Sequence, residues 1–176
     1  MSRGATSGAG VPGWTTRTTP WATATVADPP SISLLTPRER LVLNQIRAHA
    51  YLCMFGTVEE FILPFVLDHA RGALTESDAR TRALLQFAGE EAKHIHLFRR
   101  FRDEFEKDFG TKCEEIGPPE AVAKAVLAHQ PLAVALAILH IEWMTQRHWT
   151  EAVKDNQALD PQFKSLLKHH WMEESQ

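Results

Sequence analysis

Helix-start signals are the feature that most constrains the fold of this chain. Residues 36–39 (TPRE) form a capping box, with proline at the first helical position, where a backbone N–H is not needed. They predict a long helix that reaches about Ala70. A second cap within residues 75–78 (TESD) predicts a helix that ends at Phe109, because Gly110 follows it.

The rest of the chain continues the same pattern. A short helix is predicted over residues 120–130 and a long one over residues 131–155. Asp160 and Pro161 start a last helix that extends to Gln176. Since no segment shows the alternation typical of strands, the sequence predicts an all-α protein. Short links join the first two long helices and the last two, whereas about twenty residues separate the pairs, which predicts two antiparallel hairpins and one long crossover.

Composition narrows the class of protein. The length of 176 residues suits one domain, which we assign to residues 34–176, and residues 1–33 are predicted to be a disordered tail rich in Gly, Pro, Ser and Thr. The net charge of -3 gives no reason to expect a nucleic-acid partner. No membrane partner is expected, because no apolar run reaches about 18 residues. The two cysteines and the absence of a secretory signal favour the cytoplasm, with an organellar transit peptide as the alternative.

Glutamate and histidine on the apolar faces of these helices are the candidates for chemistry. In the second helix Glu91 falls inside the stripe of Phe87, Ile95 and their neighbours, and His94 lies one turn further along the same face. A carboxylate facing a core is costly unless it is paired or binds metal. The alternative for a single Glu-x-x-His pair is a salt-bridged edge.

Every other long helix offers a similar residue. The first helix carries Glu59 and Glu60 beside its apolar stripe, and Glu59 lies nearer the centre of the stripe. The complete candidate set of metal ligands is Glu59 or Glu60, Glu91, His94, Glu142, His170 and Glu174. One inward glutamate from each of two helices, combined with Glu-x-x-His motifs from the other two, is the ligand pattern of di-iron carboxylate bundles. Carboxylate and imidazole ligands suit two iron ions, with manganese as the alternative metal.

On these motifs, residues 36–176 resemble the ferritin-like di-iron superfamily, and more narrowly its oxygenase branch that includes p-aminobenzoate N-oxygenase. The resemblance implies a ferritin-like four-helix bundle in which Glu59 or Glu60, Glu91, His94, Glu142 and Glu174 bind metal. His170 occupies the position of the additional histidine of that branch. It also implies an O2-activating oxidoreductase with an external electron donor and a small organic substrate, for which an aryl amine is one candidate.

The last helix departs from the family pattern. The second Glu-x-x-His of the family would require a histidine directly after Gln176, and the helix from Pro161 is about half as long as its partners. We therefore expect an incomplete last helix and a chain that is a fragment of a longer protein; a natural truncation is the alternative.

Other functions and features stay open at this point. An iron-binding or iron-storage protein and a metal-free scaffold with a degenerate site are the competing functions. Tyr51 is interpreted as a core residue, and His96, His140 and His148 as residues other than ligands. Trp149 and Trp171 suggest either a homodimer interface or burial within the chain.

Overall fold

A computed structural model describes residues 34–110, 112, 114, 117–157 and 159–175. It confirms the prediction of an all-α chain, since the described residues contain helices and no strand. The predicted tail, residues 1–33, lies outside the described residues, as does Gln176. The α-helices are α1 (Pro37–Ala73), α2 (Asp78–Phe109), α3 (Pro119–Leu127), α4 (Pro131–His148) and α5 (Pro161–Glu174).

The helix ends follow the predicted signals. At the start of α1, the backbone N–H of Thr36 donates to Glu39 Oε2 at 2.7 Å, and the N–H of Glu39 donates to the Thr36 hydroxyl at 3.3 Å. Ser77, within the predicted stretch, caps α2, and Gly110 ends it with a left-handed φ of 74°. Asp160 caps α5 by accepting hydrogen bonds from two backbone N–H groups. These caps satisfy N–H groups that lack partners in the first turn of a helix.

A π-helical turn follows α4. The sequence predicts one α-helix as far as about Asp155, but α4 ends at His148 and Trp149–Val153 form the wider turn. The N–H of Lys154 donates to the carbonyl of Trp149 at 3.0 Å, which is a hydrogen bond between residues five apart. A π-turn holds an additional residue and therefore rotates the side chains that follow it. In this position Val153 is buried in the core.

The apolar side chains form two separate clusters. The first, core A, contains residues of α1, α2, the π-turn, the following loop and α5: Ala48, Leu52, Phe55, Phe98, Phe105, Val153, Leu159, Phe163, Leu166, Leu167 and Trp171. The second, core B, contains residues of α1, α2 and α4: Phe61, Ile62, Val66, Ala88, Val134 and Ile138. Side chains of α3 pack against core B. α1 and α2 therefore contribute side chains to both cores, α4 contributes to core B, and α5 contributes to core A.

The order of the cores along each helix gives the helix directions. α1 meets core A before core B, whereas α2 meets core B before core A. These two helices are therefore antiparallel. α4 begins in core B and leads into core A, in the same direction as α2, and α5 starts in core A and runs back. The connection that contains α3 carries the chain from the core A end of α2 to core B.

α1 is strongly apolar. By length and composition it could cross a membrane, since an 18-residue window has a mean hydropathy of 1.5 and 44% of that window is buried. Glu59 and Glu60 interrupt the apolar run of this helix, and the expectation of no membrane partner stays a prediction. A core helix that packs against its neighbours can have the same length and hydropathy. α1 contacts both α2 and α3, and it carries the buried polar residues His49 and Glu59.

Two further observations concern apolar side chains. On α4, Ile138 is buried in core B, whereas the side chain of Leu139 is 46% exposed. Trp171 is buried in core A and Trp149 packs against it with ring centroids 5.7 Å apart. Packing within the chain therefore accounts for both tryptophans.

Replacing Phe98 by alanine tests core A. Phe98 on α2 is fully buried, so Phe98→Ala should lower the free energy of unfolding by about 3–5 kcal/mol. Leu85→Ala on the same helix, where the side chain is 50% exposed, should lower it by less than about 1 kcal/mol. Urea denaturation measures both, and equal losses would contradict the assignment of Phe98 to the core.

Candidate metal centre

A layer of carboxylates and imidazoles separates the two apolar cores. On α1, Glu59 lies between Phe55 of core A and Ile62 of core B. On α2, Glu91 and His94 lie between Ala88 of core B and Phe98 of core A in the same way. Glu59, Glu91, His94 and His170 are at most 1% exposed. Four ionisable side chains are thus fully buried, where each requires a partner or a ligand.

His94 is the most densely contacted member of the layer. Its Nδ1 lies 2.9 Å from Glu174 Oε1 and 3.9 Å from Glu91 Oε2. Its Nε2 lies 2.9 Å from Glu173 Oε2. The ring is therefore oriented from both sides, with one nitrogen directed into the layer and the other toward a carboxylate at its edge.

His170 of α5 completes the buried side of the layer. Its Nε2 lies 2.9 Å from Glu59 Oε1 and 3.9 Å from Glu174 Oε1. The rings of His94 and His170 have centroids 4.5 Å apart. Residues from α1, α2 and α5 thus converge on one small volume, although their positions in the sequence are far apart.

Glu142 brings α4 into the same layer. The residue is half-buried, but its Oε2 atom is buried and has no hydrogen-bond partner among the described residues. Its carboxyl group is close enough to Glu174 and Glu91 to be repelled by both. Since α4 contributes a side chain that is only half-buried, the layer is more accessible on this side than at Glu59.

The structure brings six of the seven predicted residues together: Glu59, Glu91, His94, Glu142, His170 and Glu174. Glu60 is the exception, because its Oε1 accepts a hydrogen bond from Arg99 at 2.6 Å on the outer side of α1 and α2. Successive helical residues are about 100° apart, so Glu59 and Glu60 cannot both face the layer. His96 and His140 are exposed, as expected for residues outside the site.

Glu173 is outside the predicted set of ligands but takes part in the layer. It contacts His94 and forms an ion pair with Lys93 at 2.6 Å. Lys93 also pairs with Glu90. The available signal was the repeated Glu-Glu pair of α2 and α5, which places a second glutamate beside each inward one. The contact itself depends on how α5 approaches α2, and no spacing within a helix reveals that.

Burial and mutual repulsion favour protons on two of the carboxyl groups. Burial, followed by the closely placed carboxyl of Glu91 and repulsion from Glu174 and Glu142, raises the pKa of Glu59 well above its ordinary value. Burial, followed by repulsion from Glu174 and Glu91, raises the pKa of Glu142 to about 8. The layer therefore has more carboxylates than its own cations neutralise.

The two histidines respond in opposite ways. Burial disfavours the cation of His94, but the adjacent carboxylates of Glu174, Glu91 and Glu173 outweigh that effect and raise its pKa to about 10. Burial and the nearby cation of His94 lower the pKa of His170 to about 3. His170 is therefore a neutral imidazole at ordinary pH, which is the form that binds metals.

Several oxygen and nitrogen atoms of the layer that could bind a metal have no hydrogen-bond partner among the described residues. Buried atoms without a partner among the described residues include Glu59 Oε2, both carboxylate oxygens of Glu91, Glu142 Oε2 and His170 Nδ1. Buried polar atoms are normally satisfied, so such a group requires an explanation such as a bound ion. The side chains fit a metal: three overlapping sets of donors lie within 4.8 Å, namely Glu59–His94–His170, Glu91–His94–Glu174 and Glu90–His94–Glu173.

Comparison with known protein families, with curated proteins and with solved structures finds no match to this chain. The geometry of the layer is therefore the basis for any functional assignment.

The metal-free protein should lose stability as the pH rises from 6.5 to about 8. The pKa of Glu142 is higher in the folded state than its ordinary 4.5, so its bound proton stabilises the fold at low pH and that contribution is lost as pH approaches 8. His170 does not change the pH dependence of stability above its ordinary pKa of 6.5, because its imidazole is then neutral in both the folded and the unfolded state. The expected slope reaches about 1.4 kcal/mol per pH unit for each proton released.

Glu142→Gln should make this dependence less steep, because the amide resembles the protonated carboxyl, while Glu59 and His94, whose pKa values are also raised, keep their share of the slope. Glu60→Gln is the matched control, since Glu60 lies outside the layer, and it should leave the slope unchanged. Chemical denaturation at a series of pH values provides the measurement. A free energy of unfolding that increases over this interval would contradict the assigned protonation states.

Proposed function

We propose that this chain is a non-haem di-iron protein that uses O2 to oxidise a small organic substrate. The observation that supports the proposal is the buried layer of four glutamates and two histidines, contributed by α1, α2, α4 and α5, with carboxylate oxygens that lack partners. A protein that needed this layer for stability alone would be expected to satisfy those atoms, because unpaired buried carboxylates are destabilising.

We propose Glu59, Glu91, His94, Glu142, His170 and Glu174 as the metal ligands. Hard carboxylate oxygens together with imidazole nitrogen suit iron, and manganese is the alternative. Bound ferrous ions would supply the electrons with which O2 is reduced. Their positive charge would replace the protons that Glu59 and Glu142 otherwise retain, so metal binding should release protons.

The remaining residues around the layer have separate tasks. Phe55, Phe98 and Ile62 cover it from the two cores and exclude water. Glu173 accepts the hydrogen bond from His94 Nε2 and so holds the ring with Nδ1 toward the layer, an arrangement that raises the basicity of a metal-binding imidazole. The half-buried Glu142 marks the side of α4 as the route for O2 and substrate.

The helix directions support a ferritin-like bundle as the fold that carries this activity. α1 and α2 are antiparallel, α4 and α5 are antiparallel, and α2 and α4 run in the same direction. One long crossover between two hairpins is the connectivity of ferritin-like folds. We propose an external electron donor as the partner that restores the ferrous state, and the cytoplasm as the location.

Glu59→Ala tests the metal centre against its neighbour on the same helix. The unaltered chain, reconstituted with ferrous iron under anaerobic conditions, should bind about two ions. Glu59→Ala should lose at least one of them, while Glu60→Ala should retain both, because Glu60 pairs with Arg99 outside the layer. Iron content after gel filtration, and circular dichroism as a check on folding, give the readout.

Iron content below one ion per chain in the unaltered protein would contradict the proposal and favour a metal-free scaffold. Equal iron content in Glu59→Ala and the unaltered chain would show that the ligands lie elsewhere.

Reaction with O2 separates an oxidase from an iron-binding protein. The ferrous protein should consume O2 with a transient visible absorption, because ferrous ions held by these ligands would supply the electrons for the reduction of O2. Glu91→Ala should abolish the transient, because it removes two carboxylate oxygens from the centre of the layer. Stopped-flow absorption and an oxygen electrode measure both quantities. Stable binding of two ferrous ions that do not react with O2 would favour the alternative of an iron-binding protein without oxidase activity.

A further inference from the structure

The outer face of α4 is apolar and largely exposed. Within residues 131–144, Glu142 is the only Asp, Glu, Lys or Arg, and its carboxyl group belongs to the layer. Four large apolar side chains of this stretch are exposed, at intervals of four, three and four residues. We name them the outer stripe: Leu132 (71% exposed), Leu136 (57%), Leu139 (46%) and Trp143 (68%).

The outer stripe has the spacing of a contact between two helices. Intervals of four and three residues place side chains along one line of an α-helix, as in the seam of a coiled coil. The buried apolar residues of α4, Val134 and Ile138, belong to core B, whereas no member of the outer stripe does. α4 therefore has one apolar face that packs within the chain and a second apolar face that remains exposed to water.

The size of this second face suits a protein interface. The exposed parts of the four side chains amount to about 500 Å², since a large apolar side chain has an area of roughly 200 Å². Four further residues on the outer side of α4 are also exposed: Ala133, Ala137, His140 and Met144. With them the face approaches the roughly 800 Å² that each partner buries in a stable complex. Exposed apolar patches of this size mark interaction sites on soluble proteins.

Two properties of the face suit a second copy of the same chain. No charged side chain is among the exposed residues of the range 131–144, so two copies meet without repulsion between like charges. Ala133 and Ala137 leave a shallow groove beside the ridge of the outer stripe, so the ridge of each copy fits the groove of the other. A two-fold axis requires such a self-complementary surface, because the same residues serve on both sides.

We propose that the outer stripe of α4 is the interface of a homodimer with two-fold symmetry. The two α4 helices run in opposite directions, so that Leu136 of one copy contacts Leu139 of the other. This arrangement places Trp143 against the smaller Leu132, whereas parallel helices would bring two tryptophans to the same level. Opposed helix dipoles favour the same direction. No metal ion takes part, so the inference goes beyond the proposed function and does not rest on it.

Sedimentation of the full chain over a hundredfold range of concentration tests the proposal. The measured mass should rise from that of one chain to that of two. Leu136→Glu should raise the dissociation constant at least about a hundredfold, because the dimer would bury two unpaired carboxylates near its axis. Leu85→Glu is the matched control, since Leu85 on α2 is 50% exposed and lies outside the outer stripe. It should leave the dissociation constant unchanged.

Trp143→Lys is a second variant that should weaken the dimer in the same way. Because Leu136 and Trp143 are exposed, both variants should keep the helix content of the unaltered chain, which circular dichroism measures. The dissociation constant of the unaltered chain should change little with salt, since the interface contains no ion pair. A dimer that dissociates at high salt would contradict an apolar interface.

Disulfide cross-linking tests the direction of the two helices. Chains with Leu132→Cys and chains with Trp143→Cys should form a linked dimer when they are mixed and oxidised. Neither variant alone should form more linked dimer than the unaltered chain, because positions 132 and 143 are about 16 Å apart along α4. A parallel pair of helices would instead link each variant with itself, which would overturn the proposed arrangement.

Two results would overturn the proposal as a whole. A chain that stays monomeric at every concentration would mean that something other than a second copy covers the outer stripe, such as residues 1–33 or another protein. A dimer that persists in both Leu136→Glu and Trp143→Lys would place the interface on another face. Neither result alters the iron content on which the proposed function is judged, so the two proposals fail separately.

Discussion

Repulsion among buried carboxylates is the constraint on which the rest of this structure depends. Glu59, Glu91, Glu142 and Glu174 converge from four helices, and His94, whose pKa is raised to about 10, adds a positive charge among them at ordinary pH. Burial raises the energy of each ionised group, so the metal-free layer must retain protons or bind a cation. The raised pKa values of Glu59 and Glu142, and the buried carboxylate oxygens without hydrogen-bond partners, both follow from this excess of negative charge.

Two apolar cores hold the layer together in spite of this cost. Core A and core B lie on either side of it, and the helices that supply its donors contribute apolar residues to one core or both. The hydrophobic contacts therefore stabilise the helix positions that bring like charges into contact. A site that is unfavourable by itself persists because the surrounding packing determines its geometry, which is typical of functional sites.

The prediction of individual helices succeeded because its signals are local. Thr36 and Glu39 satisfy each other within one turn, and Gly110 ends α2 because it adopts a left-handed conformation. The π-turn at Trp149 was not predicted, since its hydrogen bonds compete with ordinary helical ones and tertiary packing decides between them. The buried face of α4 is decided in a similar way, because α4 is apolar on more than one side and periodicity cannot choose between Ile138, which is buried, and Leu139, which is 46% exposed.

The sequence by itself determined the helical class of this protein, the helix starts within a few residues, and the fact that Glu91 and His94 share one face. Each of these depends on spacing within a single helix, which the geometry of 3.6 residues per turn specifies. Only the tertiary structure separated Glu59 from Glu60, directed Glu173 to His94 and brought Tyr51 to His148. These contacts join different helices, and the packing of two cores, not the spacing of residues along the chain, decides which side chains meet.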